Sequence, residues 1–192
     1  CVPQVRVVVG AGGKPELSSA LAHPPHLRLP PGTYHYSNLG YALAARTLED
    51  ITGQDYRALL HKHLLGPLSM TMTSWPDERT EGPLVLGAAA PAGDLWSTLE
   101  DLMTLARAIN GHRPGVVTWP MLRKLLELTI PDHSGAHFGA GIRTHRVGHH
   151  SVLVSTGTIR NRTTCITVWP RRGASVLVAE AGHSHDALWR SA

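Results

Sequence analysis

Two short polar clusters carry the residue types from which a reaction site could be built. Tyr36-Ser37-Asn38 stands between the turn residues Pro30-Pro31-Gly32 and an apolar helix, and Ser155-Thr156-Gly157-Thr158 stands at the end of one strand-like run and before the next, with Arg160 just beyond. The first cluster can expose a phenol, a hydroxyl and an amide at the tip of a loop. The second offers small residues beside which a ligand can lie along a strand edge and hydrogen-bond to its backbone. Each also has a plain explanation. Ser37 or Asn38 could do no more than cap the following helix, since both types are favoured caps. The Ser-Thr run could be an ordinary edge strand. Taken singly, the plain explanation is the stronger for the first cluster.

The elements that would position these residues can be read from the periodicity. Residues 1 to 33 form a loop-rich opening with one strand-like run, "VRVVVG". From 34 to 135 the chain reads as helical. Leu39, Ala42, Leu43, Leu48 and Ile51 recur at a helical period, and Thr52-Gly53 supplies the glycine that commonly ends a helix. A second helix runs from Tyr56 to Leu64 and closes at Gly66-Pro67. A third is expected to open on a Ser97-to-Glu100 capping box and to end at Asn110-Gly111. A fourth covers Thr118 to Leu128. From 136 to 192 the chain reads as strands, in the runs "FGAGIRTHRV", "HHSVLVST", "TTCITVWP" and "ASVLVAEA", with Arg172-Gly173 as a tight turn before the last. Helices first and an antiparallel meander afterwards give an α+β architecture.

Composition narrows the classes of function. The chain has 192 residues, a hydrophobic share of 42%, a charged share of 17% and a formal charge of +4. This is the balance of a globular protein with one good core. The basic residues are scattered, Arg171-Arg172 and Arg160/Arg162 being the densest groups, so no nucleic-acid partner is expected. No apolar run approaches the ~18 residues of a membrane-spanning helix, and no signal peptide is visible. The 13 histidines include the close pairs His61/His63, His149/His150 and His183/His185. None has the helical spacing with a neighbouring acid that a zinc protease needs, so neither a metal nor another cofactor is expected. Cys1 and Cys165 make no disulfide framework, and Cys1 could be a disulfide partner, a lipidated mature N-terminus, or simply the first residue read.

Together and in order, the clusters resemble the serine penicillin-recognising enzymes, in the branch of class C β-lactamases, D-alanyl-D-alanine carboxypeptidases and related esterases. The stretch from Tyr36 through Tyr41 to Gly53 is similar to that family's "YSNxGYxL…TG" after a "PPG" turn. "LLGPLSMTMTS", from Leu64, resembles "PLGMTDT". "PAGDLWSTLEDLMTLARAI", from Pro91, resembles "AGGLxSTxxDLxxF". "FGAGIR", from Phe138, resembles "YGLGxR". Ser155-Thr156-Gly157 stands where the family carries His-Thr-Gly or Lys-Thr-Gly. The resemblance implies a β-lactamase/DD-peptidase-like fold and a serine-type hydrolase that forms an acyl-enzyme with a peptide, β-lactam or ester. It gives Tyr36 the passing of protons, working with a lysine neighbour, and Asn38 the holding of the substrate's peptide group. The backbone N–H of Thr158 would form half of the oxyanion hole, while Thr156, Arg143, Ser155 and Gly157 would bind a small molecule or peptide ending in a carboxylate. An extracytoplasmic location is implied as well.

The chain departs from this pattern in four ways. It contains no Ser-x-x-Lys, the motif that supplies nucleophile and lysine in this family. Ser155 replaces a basic residue, Asn161 replaces a glycine and Arg162 replaces an aromatic. The nucleophile-bearing helix is accordingly expected outside these residues, with the closing helix only starting at "HDALWRSA". The expectation is a fold with its N-terminal part missing and a chain inactive by itself. The alternative is a catalytically inactive relative that serves as a binding protein. The missing cover is further expected to leave Val152, Val154, Ile166, Val168, Val176 and Val178 partly exposed, so that a homo-oligomer or a missing segment would cover them.

Overall fold

A computed structural model describes residues 30, 32–75, 87–93, 95–112, 115–139, 141–159, 162–170 and 172–181. The strand-like run at residues 5–10, together with Cys1, Arg160, Asn161 and Arg171, lies outside them. The chain forms two compact units, one from Cys1–Arg28, Tyr36–Leu59 and Trp75–Trp96, the other from Leu29–His35, Leu60–Ser74 and Ser97–Ala192.

In the first unit, helix α1 spans Asn38–Thr52 and ends at the left-handed Gly53, whose N–H donates to the Glu49 carbonyl at 2.8 Å. Its buried residues are alanines, Ala42 and Ala45, and it packs against the 3₁₀ turn Gly87–Ala92. Small side chains let the two backbones come close. The larger apolar residues Leu43, Leu48 and Ile51 remain exposed, so the helical stripe seen in the sequence is buried only in part. Helix α2 covers Tyr56–Leu60, with Asp55 Oδ1 accepting from the N–H groups of Arg57 and Ala58. The expected continuation to Leu64 exists, but as a π-type turn over His61–Leu65, residues that belong to the second unit, in which the Gly66 N–H reaches back to the His61 carbonyl.

In the second unit, helix α3 spans Leu99–Ile109. Its cap differs from the expected Ser97-Glu100 box. Thr98 is the N-cap, and its Oγ1 accepts from the Asp101 N–H at 3.3 Å. The Ser97 hydroxyl is engaged elsewhere, 2.8 Å from Thr73 Oγ1, while Asp101 Oδ2 accepts from Thr73 Oγ1 and the Met72 N–H. That buried carboxylate ties the 72–73 segment to the start of the helix. Helix α4, Trp119–Glu127, is capped by Thr118 and carries Pro120 in its first turn, where a missing N–H costs nothing.

Among the described residues, six strands form one antiparallel sheet in sequence order: β1 Ile130–Pro131, β2 His137–Gly139, β3 Ile142–Val147, β4 His150–Ile159, β5 Arg162–Trp169 and β6 Ala174–Ala181. The run beginning at Phe138 was expected as one strand; it divides into β2 and β3, which pair with each other through Gly139↔Ile142. Ser155 and Thr156, expected to end a strand, and Gly157 and Thr158, expected beyond it, all lie inside β4. Gly139 is required by a close approach: a Cβ there would strike the Leu128 carbonyl group and the Thr129 methyl.

Because side chains alternate along a strand, register assigns them to faces. Leu153, Ser155, Ile166 and Val168 share one face through the pairs Leu153↔Val168 and Ser155↔Ile166. There Leu153 and Val168 join Ala106 of α3 and Leu122 of α4 in a buried cluster, with Ile109, Val117, Leu125, Leu126, Ile142 and Ile166 packed around it. Each of the larger members contributes about 1.5–3 kcal/mol by leaving water. The valines expected to be exposed therefore do not form one face. Ile166 and Val168 look to the helices, and Val152 and Val154 to the other side. Val152, Val154 and Val168 are 4%, 6% and 1% exposed, and Val176 alone of the described set is largely open, at 51%. Among the described residues no helix is long and apolar enough to cross a membrane, and no group of His, Cys, Asp and Glu could hold a metal ion.

Candidate active site

In the first unit, Ser37 has extended backbone and its Oγ accepts from the Gly40 N–H at 3.3 Å. The capping explanation thus holds for Ser37. Its neighbours are left outward: Tyr36 is 59% exposed, and Asn38, the first residue of α1, is also exposed.

In the second unit, the geometry follows from how β3 and β4 are joined. Gly148 has a φ of 60° and His149 does not share the positive φ, as in a two-residue turn with glycine at its first central position. Such a hairpin closes on a hydrogen-bonded pair, here Val147↔His150, and the ladder bonds recur at His145↔Val152 and Arg143↔Val154. The backbone groups of His150, Val152 and Val154 therefore point to β3. By the same alternation, those of Thr156 and Thr158 point to the same side. There the ladder has ended: Arg143↔Val154 is the last pair of β3 and β4, while β4 runs on, paired with β5, to Ile159. The cause lies in the chain's path, since β3 starts at Ile142 as the return arm of its own hairpin with β2. The N–H and C=O groups of Thr156 and Thr158 so form an edge that no strand covers among the described residues.

Side chains divide across this segment. Thr156 and Thr158 lie on the face of Val154 and Arg143, whereas Ser155 lies on the face that carries Leu153, and Gly157 presents no side chain to either. Ser155, Gly157 and Thr158 are exposed and Thr156 is half-buried. Thr158 Oγ1 lies 3.5 Å from Thr163 Oγ1. Arg143, paired across from Val154, is diagonal to Thr156, a separation that a long side chain can bridge.

Arg143 is not a solitary cation. Its Nε donates to Asp132 Oδ2 at 2.8 Å, the carboxylate side chain being 2% and the arginine side chain 27% exposed. The other carboxylate oxygen, Oδ1, accepts from the Ser134 N–H at 2.8 Å, the Ser134 hydroxyl at 2.7 Å and the Ala136 N–H at 3.1 Å. Burial alone would raise the pKa of Asp132. The bonds from Ser134 and the Arg143 guanidinium outweigh it and hold the carboxyl below its ordinary value. Tyr34 packs on the same hairpin, 5.1 Å from the Phe138 ring and edge-on to His133 at 5.9 Å. Asp132 is a partner of Arg143 that the motifs do not include. A signal was present, since Asp132-His133-Ser134-Gly135 has the composition of a turn in which an aspartate bonds to the backbone ahead of it.

A strand edge of small polar residues, flanked by an anchored arginine on an α+β scaffold, is the arrangement on which comparison with known proteins bears. The family model described as Beta-lactamase matches residues 8–185. The chain belongs to the β-lactamase family. Among curated relatives, beta-lactamase-like 1 of Homo sapiens is 34% identical over 125 residues, which is 56% of this chain and 25% of that protein. The chain spans about a quarter of the length of the curated relatives it matches, 25% and 28% for the first two. Among solved structures, SurE with D-Leu superposes with a TM-score of 0.73 at 21% identity, covering 91% of this chain and 45% of that one. The D-stereospecific amidohydrolase from Streptomyces sp. gives a TM-score of 0.68 at 21% identity, covering 90% of this chain and 58% of that one. These likenesses establish a β-lactamase-like fold for a member of a hydrolase family.

Proposed function

We propose that the chain is the strand-edge and tyrosine-bearing part of a serine-type acyl hydrolase that acts through an acyl-enzyme on small peptide, amide, ester or β-lactam substrates. The observation that carries this reading is the uncovered edge of β4 at Thr156 and Thr158. An extended substrate can pair with that edge as an added strand, its main-chain groups meeting those of Thr156 and Thr158. The Thr158 N–H then donates to the substrate carbonyl oxygen. That bond strengthens as the carbonyl carbon becomes tetrahedral and its oxygen takes negative charge, and one such donor is worth about 3 kcal/mol. Thr156 and Arg143, on one face of the sheet, bind the terminal carboxylate, a planar anion that a guanidinium suits. By the family resemblance, Tyr36 carries the proton from the nucleophile to the leaving group and Asn38 holds the substrate's amide.

The nucleophile of this scheme is the serine of a Ser-x-x-Lys motif, which the 192-residue sequence does not contain and which would come from outside it. Its Oγ would attack the carbonyl carbon, the amine or alcohol would leave with a proton, and water would hydrolyse the resulting ester. The likeness to structures described with D-Leu and as a D-stereospecific amidohydrolase supports substrates with a D residue beside the scissile bond. The missing motif equally favours a second reading, a binding relative without catalysis. Incubation with a fluorescent penicillin, followed by mass spectrometry, separates the two. Acylation of a Ser-x-x-Lys serine in the natural full-length protein, with none on the 192 residues alone, is the expected result. No acylation of the full-length protein, together with no ester hydrolysis, would leave the binding relative as the answer.

A further inference from the structure

Arg143 does not project from β3 as a freely turning side chain. Its Nε is bound by a carboxylate that is itself fixed, because the Asp132 side chain is 2% exposed and its second oxygen receives three hydrogen bonds from the tight segment 132–136. The backbone of the segment is closed as well, the Asp132 N–H donating to the Ala136 carbonyl at 2.8 Å. A carboxylate held in this way has little freedom to follow the arginine, so it is the arginine that is oriented. With Nε occupied, the guanidinium keeps its Nη1/Nη2 end, which has no hydrogen-bond partner among the described residues.

We infer that Asp132 is a positioning residue for ligand recognition: it locks Arg143 beside the open β4 edge so that the Nη1/Nη2 end meets the terminal carboxylate of a peptide-like ligand. This rests on the role of Arg143 given under the proposed function. Two consequences follow from the chemistry. An arginine ordered before the ligand arrives loses less side-chain freedom on binding than a mobile one. Its donors also remain matched to a planar anion, which a lysine at the same position could not reproduce. Specificity then lies in the ligand's end group. A carboxylate meets two charged donors, whereas a carboxamide brings its own N–H groups against them.

The test reads equilibrium binding in the natural full-length protein, by fluorescence anisotropy of a labelled D-alanyl-D-alanine dipeptide ending in carboxylate or in carboxamide. The wild type should prefer the carboxylate form about tenfold or more, the scale of a charge-assisted hydrogen bond. Asp132→Asn, isosteric and still able to accept through Oδ1, should reduce that preference to about twofold or less while the carboxamide form binds nearly as before. Asp132→Glu should restore part of it. An unchanged or greater preference in Asp132→Asn would mean that the carboxylate merely neutralises Arg143, and would overturn the inference. Equal losses for both ligands would reduce Asp132 to a scaffold role and overturn it too. Where Asp132→Asn does not fold, by its thermal unfolding curve, Arg143→Lys takes its place and should lose the preference while keeping the charge; retention would overturn the inference. No wild-type preference at all would do the same, and hydrolysis of an uncharged ester would then show separately whether the proposed hydrolase activity stands.

Discussion

The two halves of β4 are neighbours in one strand and behave as different materials. In the first half Val152, Leu153 and Val154 are 4%, 4% and 6% exposed, with β3 on one side, β5 on the other, and both faces covered. In the second half Ser155, Gly157 and Thr158 are exposed, and among the described residues only β5 is paired. The change comes at the last β3 pair, Arg143↔Val154. Buried on two faces and hydrogen-bonded on two edges, the first half cannot move without opening the core. That rigidity holds the backbone donors of the second half in place, on an edge that β3 does not reach. An open strand edge is thus made by ending one strand early beside a longer one.

The largest contrast should appear in the apolar side chains. Leu153→Ala is expected to cost about 2–5 kcal/mol of stability in chemical denaturation, through a cavity beside Val168 and Leu122. Ser155→Ala, two positions on along the same face, should stay within about 0.5 kcal/mol. If the two cost the same, the division of the strand is wrong.

A proline scan tests the backbone half of the comparison. Thr158→Pro removes an N–H that faces the open edge, where a strand tolerates proline. The ester hydrolysis proposed for the full-length protein should fall by about 10²–10³, with a melting temperature close to wild type. Val154→Pro should do the reverse in kind, costing about 1–3 kcal/mol of stability by leaving the β3 partner carbonyl unpaired. Loss of stability in Thr158→Pro would show that its N–H is already bonded.

Gly139→Ala sharpens the account of why β3 ends where it does. The added methyl meets the Leu128 carbonyl, so about 1–3 kcal/mol of stability should be lost, and the β2–β3 hairpin should show faster amide exchange. The smallest effect concerns acid. The folded pKa of Asp132 lies below its unfolded value of about 3.9, so its contribution is complete above that value and is lost as pH falls through the folded pKa. Stability measured below about pH 4 should therefore fall less steeply in Asp132→Asn than in wild type, and parallel curves would count against the carboxylate's role.

What the sequence determined by itself was local and short-range. Helix α1 ends at Gly53 and helix α3 at Asn110, as the caps imply, and the antiparallel meander follows from alternating runs and turn glycines. Motif order was equally legible, since five similar segments in sequence order point to the family whatever the chain's contacts. Other features were beyond it, each for a physical reason. Ser97 and Thr98 are both good caps, and only the capture of the Ser97 hydroxyl by Thr73 decided between them. The valine runs predicted strands but not which face each residue takes, because register depends on where hairpins close. Arg143 was found by its position in a motif, whereas its partner Asp132 lies in a turn, and folding alone brings them together. The open edge at Thr156 and Thr158 has no signature in the residues themselves. It exists because β3 stops at Ile142 while β4 continues, a difference between two strand lengths that only the paired sheet defines.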